Sequence, residues 1–218
     1  MRLVDHPEVI ASWPEPTADA PWRILVSGCL GGLPCGVGGD DYGLGSHTSA
    51  LASAQTAKII TFCPEDFSLG TPRTMPDIHG GDGFDVLDGR ARVLDEHGRD
   101  LTHAMIAGAE QMLVVGRREN VRFALLTDMS AACGSQVIAL GCRFDEPRQF
   151  QRGAGVAAAT LARAHLPVVS QRDHATLRRI YERLRIEAPP FPTDVDHHDS
   201  DWVRANLPSP RRWPVQPA

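Results

Sequence analysis

The chain lacks any apolar run near the roughly 20 residues that a membrane-crossing helix needs. Its first residues, MRLVDHPEVIASWPEP, carry an acid near the start and no apolar segment, so a cytoplasmic location without a secretory signal is expected. Lysine is nearly missing: Lys58 stands alone among 22 basic residues, a bias read as genome composition and not as function. No two cysteines have the CxxC spacing of a closed zinc site. The glycines form no G-x-G-x-x-G and no Walker lysine follows them, which argues against a nucleotide-phosphate loop. Positive charge is not in excess either. With 22 basic and 27 acidic side chains the net charge is −5, unsuited to gripping long phosphate backbones. No internal repeat is visible.

What is present suffices for a real core. Hydrophobic residues make up 42% of 218, and a chain of this size can bury roughly 70% of its unfolded surface without disulfides. The five cysteines, at 29, 35, 63, 133 and 142, are odd in number and lack an export signal. They read as thiols, ligands or catalytic groups.

Periodicity divides the chain. Residues 1–21, with Pro14, Pro16 and Pro21, read as an irregular arm. A strand over 24–26 enters a glycine-rich stretch, and a helix is expected over 47–57 with Ser46 as its cap. A near-continuous apolar strand over 58–62 suits a parallel sheet covered on both faces. Residues 64–83 read as a loop from their Pro and Gly content, and Asp88-Gly89 as the turn of a β-hairpin. Asp100 is placed to cap a helix over 101–118 that buries Met105, Ala109, Met112 and Leu113. A strand over 121–126, a polar stretch through Pro147, an alanine-rich helix over 153–165 and a strand over 167–169 follow. A helix over 174–185 gathers Leu177, Tyr181 and Leu184 on one face. The last thirty or so residues, with seven prolines and DVDHHDSD, read as an extended arm with little core. This alternation predicts an α/β domain with a mainly parallel sheet, helices on both faces and one inserted hairpin.

Cys29, Cys63 and Cys133 each follow a strand. Ligands of open α/β sheets bind beyond the carboxyl ends of the strands. If the three strands are neighbours, three thiols meet at one sheet edge. Three thiolates with no obvious fourth suit a [4Fe–4S] cluster with one iron left open. Such an iron is a Lewis acid that prefers sulfur. The plainer reading is three small buried hydrophobes.

Five segments occur in register: S-G-C-L-G-G-L-P-C after the first strand, C-P-E after the second, then T-P-R, G-G-D-G, and S-x-x-C-G-S after the third. Together they resemble the DUF523 family of TudS-type thiouracil desulfidases. The resemblance implies a Rossmann-like domain, here 22–171, flanked by an arm over 1–21 and a helix and proline-rich tail over 172–218. It implies a [4Fe–4S] cluster on Cys29, Cys63 and Cys133. One iron is not bound by protein and carries an extra sulfide during turnover. The implied reaction removes sulfur from a thiolated uracil compound, thiouracil or a thiouridine nucleotide, and gives the oxo base and hydrogen sulfide. Glu65 and Ser130 fall at the family's catalytic positions. Cys35 stands where members vary and is set aside as a ligand, and Cys142 lies outside the motifs. Arg73 either binds an anionic substrate group or holds its loop by an ion pair. Ser27 and Asp41 join it as candidate substrate contacts. Members often carry an Arg-Tyr-Asp-Gly-like segment after the first motif, where this chain has GVGGDDY, expected to line the pocket. They also often carry a lysine before the third motif, and this chain has none.

Other signals stay small. Asp82 between glycines reads as a turn residue. His47, His79, His97 and His103 read as structural or surface groups, and His197-His198 as part of a solvated loop. Arg211, Arg212 and Trp213 are too few for a nucleic-acid face. The expected partner is a small thiolated pyrimidine, with no membrane and no nucleic acid. The competing readings are a non-catalytic metal- or sulfur-binding module, and an enzyme using Cys133 as a nucleophile at a helix N-terminus.

Overall fold

The computed structural model describes residues 1–207, with Ser46 and His47 described by backbone alone. The capping expectation for Ser46 and the calls on the His47 side chain, Arg211, Arg212 and Trp213 lie outside the described residues.

A 3-10 turn, Leu3–Asp5, and helix α1 (Pro7–Ser12) open the chain. Strand β1 (Trp22–Ser27) leads through the glycine-rich stretch to a 3-10 turn, Gly45–Thr48, and helix α2 (Ser49–Ser53). Strand β2 (Ala57–Phe62) runs directly into helix α3 (Pro64–Leu69). An antiparallel pair, β3 (Asp77–His79) and β4 (Arg92–Leu94), brackets helix α4 (Gly83–Leu87). The long helix α5 (Thr102–Arg118) precedes β5 (Phe123–Leu126). A second antiparallel pair follows, β6 (Val137–Ala139) with β7 (Phe150–Arg152). Helix α6 (Val156–Arg163), strand β8 (Val168–Ser170) and helix α7 (His174–Leu184) come next. A 3-10 turn, His197–Asp199, and helix α8 (Asp201–Asn206) end the described chain.

The main sheet is four-stranded and parallel, in the order β2-β1-β5-β8. Side chains alternate along its central strands, as the two-residue period of a strand requires. Ile24, Val26, Phe123 and Leu125 face one core with Leu177, Ile180, Tyr181 and Leu184 of α7. Leu25, Ala124 and Leu126 face the other, with α5 and α6. Both faces are covered, which is why these strands read as unbroken apolar runs. Helix α5 takes α3 against itself at Gly108, where a Cβ would lie 2.2 Å from the Pro64 carbonyl oxygen. Only glycine permits that approach, and it sets the position of the turn that carries Cys63 and Glu65.

Several elements differ from the sequence reading. The N-terminal segment is not an irregular arm. Leu3, Ile10 and Trp13 are buried in the second core, and Trp13 stacks on Phe123 at 5.6 Å. The Met1 carbonyl accepts a hydrogen bond from the Val168 N–H, and Arg2 bridges to Val168 in parallel sense. The loop expected after Cys63 is helix α3: Pro64 at the first helical position has no amide to lose, and the Cys63 thiol accepts the Asp66 N–H. The expected hairpin at Asp88-Gly89 is instead the end of α4, whose start is fixed by a capping box between Asp82 and Asp85. Strand β4 pairs with β3, on the far side of that helix. The helix expected over 47–57 shortens to α2. The stretch read as polar through Pro147 contains β6. The C-terminal segment also packs: Val203 and Leu207 are buried, Trp202 meets Phe150 edge-on at 5.5 Å, and Arg152 donates to the Leu207 carbonyl.

The N-terminal packing has a measurable weight. Ile10 is 2% exposed, so Ile10→Ala is expected to cost about 2–5 kcal/mol in urea unfolding, as large-to-small core changes do. An unpacked arm would give no change in midpoint.

Candidate active site

The strand order puts β2, β1 and β5 side by side with their carboxyl ends together. Three loops therefore leave one edge. The first turns sharply at Gly28, whose N–H donates to the Phe62 carbonyl across to β2. A Cβ there would lie 2.8 Å from the Cys35 sulfur and 2.9 Å from the Cys63 Cβ, so glycine alone lets these cysteines close in. The second loop is the tight turn into α3, with Cys63 at its cap and Glu65 in its first turn. The third leaves β5 at Thr127 and winds through Ser130 to Cys133.

One cavity of about 270 Å³ is lined by Cys29, Cys35, Cys63 and Cys133 together with Glu65 and Ser130. Cys29, Cys63 and Cys133 thus meet as the strand-end reading expects. Cys35 was set aside on sequence, yet it stands among them. Its thiol hydrogen-bonds to Cys29 and Cys63, and these two bonds, with burial, hold it far above the usual thiol range. The same bonds draw Cys29 down to about 7 and lower Cys63. Thr127 Oγ1 adds a contact to Cys29 Sγ at 3.0 Å. Burial pushes the Cys133 thiol well up. Cys142 lies outside the cavity, between β6 and β7.

Glu65 and Ser130 join across two loops. The Ser130 hydroxyl donates to Glu65 Oε1 at 3.1 Å and accepts the N–H groups of Ala132 and Cys133 at 3.1 and 3.0 Å. One donor and both lone pairs are used, so its direction is fixed. The other carboxylate oxygen takes Arg73, at 2.6 Å from Nη2 and 3.2 Å from Nε. Arg73 also donates to the Gly36 and Gly70 carbonyls and to Thr71. Both side chains are nearly buried, at 5% and 12% exposure. Removing one partner of such a pair costs about 3–5 kcal/mol. Of the two roles weighed for Arg73, the ion pair is the one the structure places.

Ser27 and Asp41 fare differently. Ser27 is buried in the cavity wall. Its hydroxyl accepts the Thr127 N–H at 3.0 Å and hydrogen-bonds to the Cys133 thiol, so it ties β1 to the third loop. Asp41 lies outside the wall and closes its own turn, accepting the N–H groups of Gly43 and Gly45. Its neighbour Tyr42 lines the cavity in its place, its hydroxyl held by the Val37 N–H at 2.7 Å. Sequence reasoning also missed Thr127 and Arg172. Arg172 stands on the rim, exposed, with no carboxylate partner among the described residues. Thr127 directly follows β5 and Arg172 is the second residue past β8, the signal that found the cysteines. The reading of Asp82 as a turn residue becomes a helix cap. His197 is buried against Asp128 and not in a solvated loop. A larger cavity of about 950 Å³ shares Leu44, Met129, Gln171 and Arg172 with the first but contains none of the thiols.

The donor set fits an iron–sulfur cluster. Among the described residues no three His, Cys, Asp or Glu side chains close on a point where one metal ion would sit. Cys29, Cys35, Cys63 and Cys133 line one cavity. Sulfur donors select iron–sulfur clusters over hard cations.

Comparisons with known proteins agree with this geometry. A family model described as 2-thiouracil desulfurase matches residues 24–173. An uncharacterized protein, YbbK of Bacillus subtilis strain 168, is 34% identical over 154 residues, 69% of this chain and 96% of that protein. A solved structure described as the [4Fe-4S]-dependent thiouracil desulfidase TudS (DUF523Vcz) is 31% identical, with a TM-score of 0.59 over 74% of this chain and 98% of that one. Three thiols, a pinned carboxylate and a fixed hydroxyl on one edge of a parallel sheet thus lie within the matched stretch, and the chain belongs to the 2-thiouracil desulfurase family.

Proposed function

We propose that this protein removes sulfur from a small thiolated pyrimidine, with a [4Fe–4S] cluster held by Cys29, Cys63 and Cys133, Glu65 as the base and Ser130 as its proton partner. The observation that carries this reading is the Ser130–Glu65 hydrogen bond of 3.1 Å in the wall of the cavity that the three cysteines share. When bound through three thiolates, a cluster supplies an open iron position that can take a thiocarbonyl sulfur and polarise its carbon.

The protein's own groups do the rest. The net reaction exchanges sulfur for oxygen: a thiocarbonyl and water give a carbonyl and hydrogen sulfide, with no electrons gained or lost. Glu65 accepts one proton from the water as the water oxygen joins the carbon and the second as the carbonyl forms and the carbon–sulfur bond breaks, and both protons leave with the sulfur as hydrogen sulfide. Arg73 neutralises Glu65 and keeps its two oxygens in one orientation, so the base needs no search before reaction. Ser130 donates its proton to Glu65 and steadies the carboxylate, and the amides of Ala132 and Cys133 keep the hydroxyl in line. Cys35 lines the same cavity and is not counted among the ligands. The reading of Cys133 as a free nucleophile gains no support, because burial raises its thiol and leaves little thiolate to attack.

Anaerobic reconstitution is expected to give a brown protein with four irons per chain that releases sulfide from a thiouracil or thiouridine nucleotide. Cys63→Ser should lose iron and turnover together, whereas Cys35→Ser, which keeps a hydrogen-bond donor, should retain the iron. Iron lost from Cys35→Ser but kept by Cys63→Ser would reassign the ligands. Glu65→Gln should keep full iron content while sulfide release drops about 10²–10⁴-fold. Unchanged release in that variant removes Glu65 from the chemistry.

In reduced, metal-free protein, Cys29 reacts with an alkylating reagent through its thiolate form. Its alkylation rate should therefore rise as pH passes about 7. In Cys35→Ala the midpoint should move up toward ~8.5. A midpoint unmoved by that substitution would show that Cys35 does not set it.

A further inference from the structure

The family match ends at residue 173, and 26% of this chain lies outside the solved relative that it covers almost completely. His197 lies beyond the family match, yet it is buried against Asp128. We propose that His197 is a positioning residue for the desulfidase site: through Asp128 it holds the turn that presents Ser130 and Cys133. The proposal rests on the function read above.

The chain of contacts is short. His197 is 6% exposed, and its Nδ1 lies 2.5 Å from Asp128 Oδ2. The Asp128 carboxylate is fully buried, and its second oxygen accepts the N–H groups of Ser135, Gln136 and Val137 at 3.0, 3.2 and 3.2 Å. Those amides lie just past Cys133. On the other side, the Asp128 N–H donates to the Gln171 side chain at 2.7 Å. Asp128 thus closes the excursion between β5 and β6 at both ends, with Ser130 and Cys133 inside it. His197 also donates its backbone N–H to Asp173, which accepts the Ser170 N–H and the Gln136 amide as well. Ring stacking on Trp202 keeps the imidazole in plane.

Asp128 has no Arg or Lys partner among the described residues, and backbone amides alone would leave one oxygen of a buried carboxylate unbonded. Such an oxygen recruits a new donor, and the nearest donors are the loop's own amides. The turn then shifts, and with it the Ser130 hydroxyl and the Cys133 sulfur. Outer-shell partners of this kind change activity by about 10–100-fold when removed.

The test uses full-length, reconstituted His197→Ala and His197→Asn, the latter retaining an N–H near the Nδ1 position. Turnover is expressed per bound cluster, so a loss of folded protein does not count. His197→Ala should lower kcat by about 10-fold or more with little change in KM, and His197→Asn should recover most of it. Equal kcat per cluster in wild type and His197→Ala overturns the proposal and leaves His197 a purely structural strap. If His197→Ala does not fold, His197→Asn is compared with His197→Gln, whose donor sits nearer the Nε2 position: equal kcat in the two overturns the proposal. If the wild type releases no sulfide from any thiopyrimidine, the function reading has failed. Hydrogen exchange at the Ser135, Gln136 and Val137 amides and iron loss to a chelator then decide on His197. Both should speed up without the imidazole, and unchanged rates overturn the assignment.

Discussion

Parallel pairing of β1 with β2 on one side and β5 on the other fixes where every reactive group falls. The register sets Ser27 opposite Phe62 and Val26 opposite Leu125, so the first residues beyond the three strands emerge at one level. A slip of one residue in β1 would exchange Ile24 and Val26 for Leu25 between the two cores. It would also move Gly28 from the one place where Cys35 and Cys63 can close on its backbone. Core packing and site geometry are thus enforced by the same register, and the two apolar faces maintain it.

Charge is handled differently at the two ends of the site. Near the substrate side, Glu65 is paired with Arg73 and fixed by Ser130, so a carboxylate sits nearly dry without isolation. Among the thiols, hydrogen bonding between Cys35 and its two neighbours raises Cys35 and lowers Cys29 and Cys63. Cys133 gains nothing from that bond and is left to burial. A cation must draw off its proton, so ligand formation at Cys133 is coupled to proton release. The three thiols proposed as ligands are therefore unequal before any metal arrives.

The sequence made the strands legible because runs such as 58–62 are apolar on both faces, and it made three cysteines legible because they follow those strands. Glu65 and Ser130 are singled out only by what the family resemblance implies. Their hydrogen bond spans two loops and no local pattern encodes it. Pro64 was misleading because proline breaks a helix interior but suits the first turn. Asp88-Gly89 was misleading because the same dipeptide ends a helix as readily as it turns a hairpin, and the capping box at Asp82 decides between them. Asp41 and Tyr42 are adjacent, and only backbone direction tells which one reaches the cavity. The partnership of His197 with Asp128 joins residues far apart in sequence, and a proline-rich acidic tail gives no periodicity to foretell it.

The near absence of lysine has a practical side. Lys58 lies exposed on β2, the outer strand of the main sheet, and it is the chain's one side-chain amine. A charged side chain on an open edge discourages other strands from adding there. The opposite edge, at β8, is occupied by the backbone of Arg2. A dye or tether aimed at side-chain amines would therefore arrive at a single known point, at the sheet's margin. A fluorophore placed there would report on the molecule's tumbling and self-association from a fixed address.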